Sequence, residues 1–543
     1  MARHAKIADV NSASRWSTSL EAAAVTGLCA ALLLATAAPL AMVWDEGDTI
    51  VRAEQTAAYV GMPLDDRADD FQARADWPYT TVREGHPPLA GLLIAAGLRI
   101  APAGLDPLTR ARLGPLLFFA VAAGAMYYRL LGDYRVRAVG VMAVVALLTM
   151  PRVFAHAHYA TLDGPVTAAW VLTWAAFAPA CRSWRFVPLL GLALGLAFSA
   201  KFTGWLAVVP LAAWAALFRD RRAAFALIAG GAIALVVFVL LNPPLWHEPW
   251  TGLRTFWDLN LHRANQPRLN VTTQFFGHMY DLDHPLPWYN SLVWTLITVT
   301  PIVALLGMLG IVASVRRWRS DPAGVLLVCN WATLVVVRAL PIAPPHDAER
   351  LMLPSFAFFA ALAGVGLGRG LYRDSLLLPD KIPAQGWAKV AMALAIAAAT
   401  FDTWSYFPHN LSYYSRLVGG LRGATALGLE PTYYWDALDR TALRWIEENT
   451  TGDDKVAFGA APSRNLELLK GWGRLRHLPA DPGHFRWYVI QRRPSAHTPA
   501  DLWLIEHEQP AFQRSISGVA LLDIYSFQQR ERALRAVENP DGN

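Results

Sequence analysis

Apolar runs, each close to the length of a membrane span, recur along this chain and are separated by short polar segments. A bilayer core takes roughly 20 consecutive apolar helical residues. Candidate spans fall at Ala22–Val43, Leu113–Leu131, Ala138–Met150, Pro165–Ala180, Val187–Ala200, Phe202–Leu217, Ala223–Leu241, Leu292–Val315, Gly324–Leu340, Leu351–Leu367 and Val390–Trp404. That makes about eleven. A secretory signal cleaved near Ala35-Thr36-Ala37-Ala38 is the competing reading of the first run. The run is long for a signal, and many spans follow it, so a retained first span is expected.

Positive residues set the orientation. Arg135, Arg137, Arg182, Arg185, Arg219, Arg221, Arg222, Arg316, Arg317, Arg319, Arg369, Arg373 and Lys381 fall on one side if Val187–Leu217 is two short spans turning near Lys201. That side holds the N-terminus and is expected to be cytoplasmic. The loops Trp44–Arg112, Asn242–Asn290 and Pro341–Arg350 then share the outer face with Arg152–Asp163 and Lys201. Within the first loop, the segment from Gly85 to Ile94 is too short to span and is expected to lie along the interface.

After Trp404 the apolar runs stop. Residues 405–543 read as a small soluble α/β domain on the outer face, with a helix over Thr441–Asn449 and strands at Val456–Gly459, Trp487–Gln491 and Val519–Phe527. The charged tail Arg530–Asn543 is expected to fray. The fold class expected is thus a polytopic α-helical membrane protein over residues 1–404 with a C-terminal extracytoplasmic domain over 405–543.

Composition agrees. Of 543 residues 54% are hydrophobic and 17% charged, and mean hydropathy is +0.28, whereas soluble proteins carry about a quarter charged residues. The net charge of +6 comes from cations grouped between spans, which points to topology and not to nucleic acid. Cys29, Cys181 and Cys329 show no disulfide or metal-knuckle spacing.

Candidate chemistry gathers at outer span ends. Asp45 and Glu46, with Asp48 beyond, directly follow the first apolar run. Read as a helix C-terminus this is an unfavourable place for carboxylates, because the macrodipole is negative there. Asp163 precedes Gly164-Pro165 at the head of a span; it reads equally as an N-cap and as a site acid. His156 and His158 beside it make a weak metal pattern; a divalent metal is not indicated. Arg112 and Lys201 at span ends are snorkelling cations or phosphate ligands. His86, His247, His346, Asp347 and Arg350 are further polar residues of the outer loops. No phosphate-cradling glycine loop, nucleophile elbow or zinc-protease pattern occurs, so neither a nucleotide-sugar site nor a cofactor is expected.

Four features in order resemble the C-type glycosyltransferases that use polyprenyl-phosphate donors, the superfamily of the protein O-mannosyltransferases and the lipid A aminoarabinose transferase. They are Trp44-Asp45-Glu46-Gly47, His86-Pro87-Pro88-Leu89, Arg112-Leu113-Gly114-Pro115 and Leu162-Asp163. Weaker echoes are Ala200-Lys201-Phe202-Thr203, Asn242-Pro243-Pro244-Leu245-Trp246, Arg350-Leu351-Met352-Leu353-Pro354 and the stretch from Pro408 to Gly420. The resemblance implies the GT-C fold and transfer, with inversion, of mannose or another hexose or pentose from a polyprenyl-phosphate-linked donor. The acceptor would be a hydroxyl on a protein, lipid or glycan, at the outer face of a plasma or inner membrane. It implies Asp45 as general base or acceptor-orienting residue, Glu46 in support and Asp163 completing the acidic site. Arg112, Lys201 and Arg350 would hold the donor phosphate, and His86, His346 and Asp347 would belong to substrate-facing loops. A transporter or flippase of lipid-linked sugars is the rival; it would gather its charges near mid-bilayer, in broken helices. A membrane assembly protein is the second rival, and it leaves the acidic pair unexplained.

Overall fold

The computed structural model describes residues 2–61, 77–79, 85–262, 271–371, 384–478 and 485–539. Of the expected cytoplasmic cations, Arg373 and Lys381 lie outside the described residues.

The apolar runs fold as helices, the form that satisfies every backbone polar group without water. Helix α1 (Ala2–Ala37) ends short of the expected Val43. A turn through Ala38-Pro39-Leu40 follows, and α2 (Glu46–Gly61) then begins at the acidic pair. Asp45, Glu46 and Asp48 therefore lie at a helix N-terminus, where the macrodipole favours carboxylates. This corrects the expectation of an electrostatically costly C-terminal position. Helix α3 (Leu89–Ile100), the expected interfacial segment, packs on α2 and on α4 (Pro107–Tyr134).

Helices α5 (Arg137–Thr149), α6 (Pro151–His156), α7 (Asp163–Arg182) and α8 (Val187–Ala200) follow. The chain then turns at Lys201, which is extended (φ −161°, ψ 154°), into a 3₁₀ turn and α9 (Val208–Leu217). The Phe198 and Trp205 rings stack 4.2 Å apart. A Cβ on Gly204 would collide with the carbonyl oxygen of Ala197, whereas seven residues of unbroken helix would separate these positions by about 10 Å. Val187–Leu217 is therefore two helices, α8 and α9, joined by a turn that folds back against the end of α8.

After α10 (Arg221–Leu240) come α11 (Pro249–Leu261) and an antiparallel hairpin of β1 (Thr273–Phe275) and β2 (His278–Tyr280). The expected span Leu292–Val315 is broken into α12 (Asn290–Ile297) and α13 (Pro301–Arg316). The Thr298 hydroxyl turns back to the carbonyl of Trp294, and Pro301, which lacks an N–H, opens the new helix. Helices α14 (Pro322–Arg338), α15 (Leu353–Leu371) and α16 (Ala384–Tyr406) complete the set. Helix α15 is the buried centre, packed against α5, α7, α13 and α14. By length and composition, four described helices can cross a membrane: Ser17–Ala37, Pro107–Tyr134, Arg221–Leu240 and Ala348–Gly368; shorter apolar helices accompany them.

Past α17 (Gly420–Ala426) the architecture changes to α/β. Helix α18 (Arg440–Asn449), β3 (Val456–Phe458), α19 (Ser463–Gly471), β4 (Trp487–Gln491), α20 (Pro499–His507), β5 (Phe512–Ile516), β6 (Val519–Ser526) and α21 (Phe527–Glu538) follow in turn. The sheet order is β3-β4-β6-β5, with only the β3–β4 pair parallel. Trp487 meets Trp445 of α18, while Tyr488 and Ile490 share a cluster with Leu504 and Ala533 from α20 and α21. The tail expected to fray is helical as far as Glu538 because Ser526 and Gln529 form a capping box and Ala533 is buried.

Candidate functional site

Two ion-pair systems sit where the helix ends meet, and they divide the candidate residues between them. The first is closed. Glu46 and Arg112 are both fully buried. Arg112, on α4, donates its Nε and one Nη2 hydrogen to the two Glu46 oxygens at 2.8 and 2.7 Å. Its remaining hydrogens go to the carbonyls of Ala37, Leu40 and Ala41 at 3.0, 3.0 and 2.7 Å. All five guanidinium N–H groups are spent, three of them on carbonyls at and just past the C-terminus of α1, where a cation suits the macrodipole. Glu46 also accepts from the backbone N–H of Val43 (3.1 Å) and Ala160 (2.8 Å). Neither a phosphate nor a substrate hydroxyl finds a free group here. Arg112, expected at the donor phosphate, here directs its guanidinium to Glu46 and backbone carbonyls, and the bonds of the pair link α1, α2, α4 and the loop before α7.

The second system is built on Arg350, in the 3₁₀ turn Ala348–Met352 ahead of α15. Its Nε donates to Asp163 Oδ2 at 2.7 Å, its Nη1 to Asp347 Oδ2 at 2.6 Å, and its Nη2 to Asp45 Oδ2. Lys201 Nζ takes the other Asp163 oxygen at 2.6 Å. Asp163 is the first residue of α7, yet its carboxylate does not cap the helix; it serves the two cations. Asp347 and Ala348 both hold positive φ (63° and 46°), a strained pair of the kind found where a site dictates the backbone. Burial opposes the charge on Asp347, but the Arg350 and Arg493 guanidinium groups hold its carboxyl below the usual range. Burial pushes the neighbouring His346 down to about 4, which leaves its ring neutral.

Exposure separates the three acids. The Asp163 side chain is 1% exposed and Asp347 10%, while Asp45 is 33% exposed. Asp45 Oδ2 receives both Arg350 and the Tyr434 hydroxyl (2.8 Å). Among the described residues nothing bonds Asp45 Oδ1, so one carboxylate oxygen stands open at the edge of a charged, otherwise closed centre.

A further layer supports this centre. Arg152 pairs with Glu349 at 2.8 Å, and Tyr433 donates to the other Glu349 oxygen at 2.7 Å. Because that phenol spends its proton on Glu349, the 2.9 Å contact of His156 Nε2 with Tyr433 is donated by the imidazole. His158 instead lies against Thr36 and the Phe154 carbonyl. The two histidines diverge, and among the described residues no group of three or more His, Cys, Asp or Glu side chains has metal-binding geometry. Among the described residues His86 is outside the Arg350 network; it is half-buried ahead of α3, beside Gly85, whose carbonyl accepts from Asn260 of α11.

Tyr433, Tyr434, Glu349, Arg152 and Arg493 were not singled out in the sequence. The one local signal was the aromatic triplet Tyr433-Tyr434-Trp435 in a polar region. Asn465 of α19 also holds the acidic segment, accepting from Gly47 N–H and donating to the Val43 carbonyl, both at 2.8 Å.

The family model of dolichyl-phosphate-mannose-protein mannosyltransferases matches residues 85–247, a stretch that includes Arg112, Asp163 and Lys201. The chain is 26% identical over 360 residues to the undecaprenyl phosphate-α-4-amino-4-deoxy-L-arabinose arabinosyl transferase of Erwinia tasmaniensis. That alignment takes in 61% of this chain and 58% of the relative, so the chain spans less than two thirds of the curated relative's length. In fold it is similar to ArnT from Cupriavidus metallidurans, solved bound to undecaprenyl phosphate, with a TM-score of 0.50 at 14% identity over 93% of this chain and 98% of that one. The family match and the curated relative are both sugar transferases named for a polyprenyl-phosphate donor, and the likeness to the solved structure is one of fold.

Proposed function

We propose that this chain is an integral-membrane glycosyltransferase that moves a sugar from a polyprenyl-phosphate-linked donor to an acceptor hydroxyl, inverting the anomeric carbon. The observation that carries the reading is Asp45: a carboxylate held by Arg350 and Tyr434 through one oxygen and open at the other. In this reading Oδ1 accepts the hydroxyl proton as the acceptor oxygen attacks the anomeric carbon. The bond from that carbon to the phosphate oxygen breaks, and its electron pair leaves on the polyprenyl phosphate. Lys201, with a side chain 16% exposed, and Arg350 are the cations placed to meet that growing charge. Asp163 and Asp347 hold those cations in place. Glu46 and Arg112 act as a brace without touching substrate.

The chemistry also suits an outer-face site. The cation clusters after α4, α7, α9 and α13 fall at the helix ends expected to be cytoplasmic, and residues 405–543 share the opposite face with the Arg350 network. In this reading about eleven spans cross the bilayer, with the N-terminus inside. Sugar, whether mannose, another hexose or an aminopentose, and acceptor, whether protein, lipid or glycan, are set outside the charged centre. The carboxylates already hold Arg350 and Lys201, so the reading calls for no divalent metal.

The test is reconstitution of the purified chain in liposomes with a panel of polyprenyl-phosphate-linked sugars and mass analysis of products. Transfer from at least one donor supports the proposal. Translocation of lipid-linked sugar without any transfer would replace it with the flippase reading.

A further inference from the structure

Two donors meet on one oxygen of Asp45, and one of them comes from the C-terminal part of the chain. Asp45 lies just ahead of α2, and the bonds that fix its carboxylate come from elsewhere in the chain. Arg350 alone does not determine which oxygen stays open, because a guanidinium can engage both carboxylate oxygens side by side. The Tyr434 hydroxyl, 389 residues away, donates to Oδ2 at 2.8 Å. The Tyr434 ring lies 4.0 Å from the Arg350 guanidinium, so the same side chain holds the cation against turning. The backbone fixes the pair as well: Trp44 N–H donates to the Tyr434 carbonyl at 3.2 Å, and the Trp44 and Trp435 rings lie 4.0 Å apart. Arg493, after β4, donates to the Tyr433 carbonyl at 2.6 Å and lies 4.2 Å from the Trp435 ring, which ties this clamp to the C-terminal sheet.

We propose that Tyr434 is a positioning residue that commits Asp45 Oδ2 to Arg350 and turns Oδ1 toward the acceptor hydroxyl, so that the C-terminal α/β part completes the catalytic centre. The inference rests on the glycosyl-transfer reading of the same site. With Tyr434 in place the base has one open oxygen; without its hydroxyl, Asp45 rotates to a two-pronged pair with Arg350 and both oxygens are occupied. The residue acts through Asp45, so its loss slows the chemical step while donor binding is spared.

The experiment compares the full-length wild type with Tyr434→Phe, reconstituted with a polyprenyl-phosphate donor that the wild type uses. Tyr434→Phe keeps the ring over Arg350. The expected result is a fall in kcat of about ten- to a hundredfold, as for loss of one hydrogen bond to a charged group, with KM for the donor within about twofold. A second comparison needs no intact ring: Tyr434→Gln retains a donor where Tyr434→Leu has none, and the Gln variant should turn over at least about fivefold faster. Undiminished kcat in Tyr434→Phe, a parallel rise in KM, or equal rates for Gln and Leu would each overturn the inference. A wild type inert with every donor sinks the transfer reading itself; an active wild type with an undiminished Tyr434→Phe sinks the positioning role alone.

Discussion

Arg350 Nε donates to Asp163 Oδ2 at 2.7 Å, joining the head of α7 to the turn before α15 across 187 residues of sequence. The same guanidinium reaches Asp347 and Asp45, so one side chain gathers three carboxylates from three separate segments. Lysine offers a point charge without the fork. Arg350→Lys should fold and melt within a few degrees of wild type while losing transfer by about a hundredfold or more. Arg350→Ala leaves buried carboxylates unpaired and should cost about 3–5 kcal/mol of stability, visible as lost folded yield in detergent. Transfer rates and thermal melting on the two variants check both outcomes.

Glu46 and Arg112 give the opposite signature. Each is fully buried and each uses all its hydrogen-bonding capacity on the other and on backbone. Glu46→Gln and Arg112→Ala should lower the melting temperature and the folded yield, since breaking one partner of a buried pair strands the other at a cost of about 3–5 kcal/mol. The fraction that does fold should retain substantial specific activity. Normal melting with abolished transfer in Glu46→Gln would return Glu46 to the catalytic group.

The sequence pattern located the helices well where a run of apolar residues is bounded by polar ones. Val187–Ala200 coincides with α8, and Trp487–Gln491 with β4. It misjudged two boundaries, one for a local reason and one for a distant one. Leu292–Val315 reads as one apolar run, but Thr298 bonds its own helix and Pro301 restarts it. The run ending at Val43 closes at Ala37 because Arg112 caps the helix end from 75 residues away. Asp45, Asp163 and Arg350 were legible as candidates because each stands at the edge of an apolar run. Their mutual geometry was not, because nothing in their spacing says that they converge. Arg493 was invisible for the same reason, lying in a polar segment where basic residues are ordinary, and Tyr434 was marked only by the aromatic triplet around it.

Acid pH should destabilise the protein through its buried histidines. Burial pushes His156 and His158 down to about 3, well below the ordinary 6.5 of an exposed imidazole. The unfolded chain then binds more protons than the folded one between those values. Stability from this source is complete above about pH 6.5 and is lost as pH falls toward 3, at up to about 1.4 kcal/mol per pH unit for each ring. Melting temperature in detergent, followed from pH 7.5 to 4.5, should hold down to about pH 6.5 and fall below it. His156→Gln, which keeps a donor for Tyr433, should flatten that slope.

The membrane orientation has its own test. Topology reporters fused after Arg221 and after Tyr406 should report the cytoplasm and the outer face respectively. The reversal at Lys201, held by the Phe198–Trp205 stack and the backbone contact at Gly204, is what separates the two fusion points from the opposite assignment. The same location for both fusions would contradict the arrangement in which the Arg350 network and residues 405–543 share the outer side.

The open oxygen of Asp45 is the centre of the account, and Asp45→Asn tests it. Asparagine preserves size and still accepts from Arg350 and Tyr434, but its carboxamide cannot take a proton from an acceptor hydroxyl. Sugar transfer from a polyprenyl-phosphate donor, measured with the purified variant in liposomes, should fall by about a hundredfold or more, with melting temperature and donor binding unchanged. Transfer at the wild-type rate would contradict the assignment of Asp45 as the base.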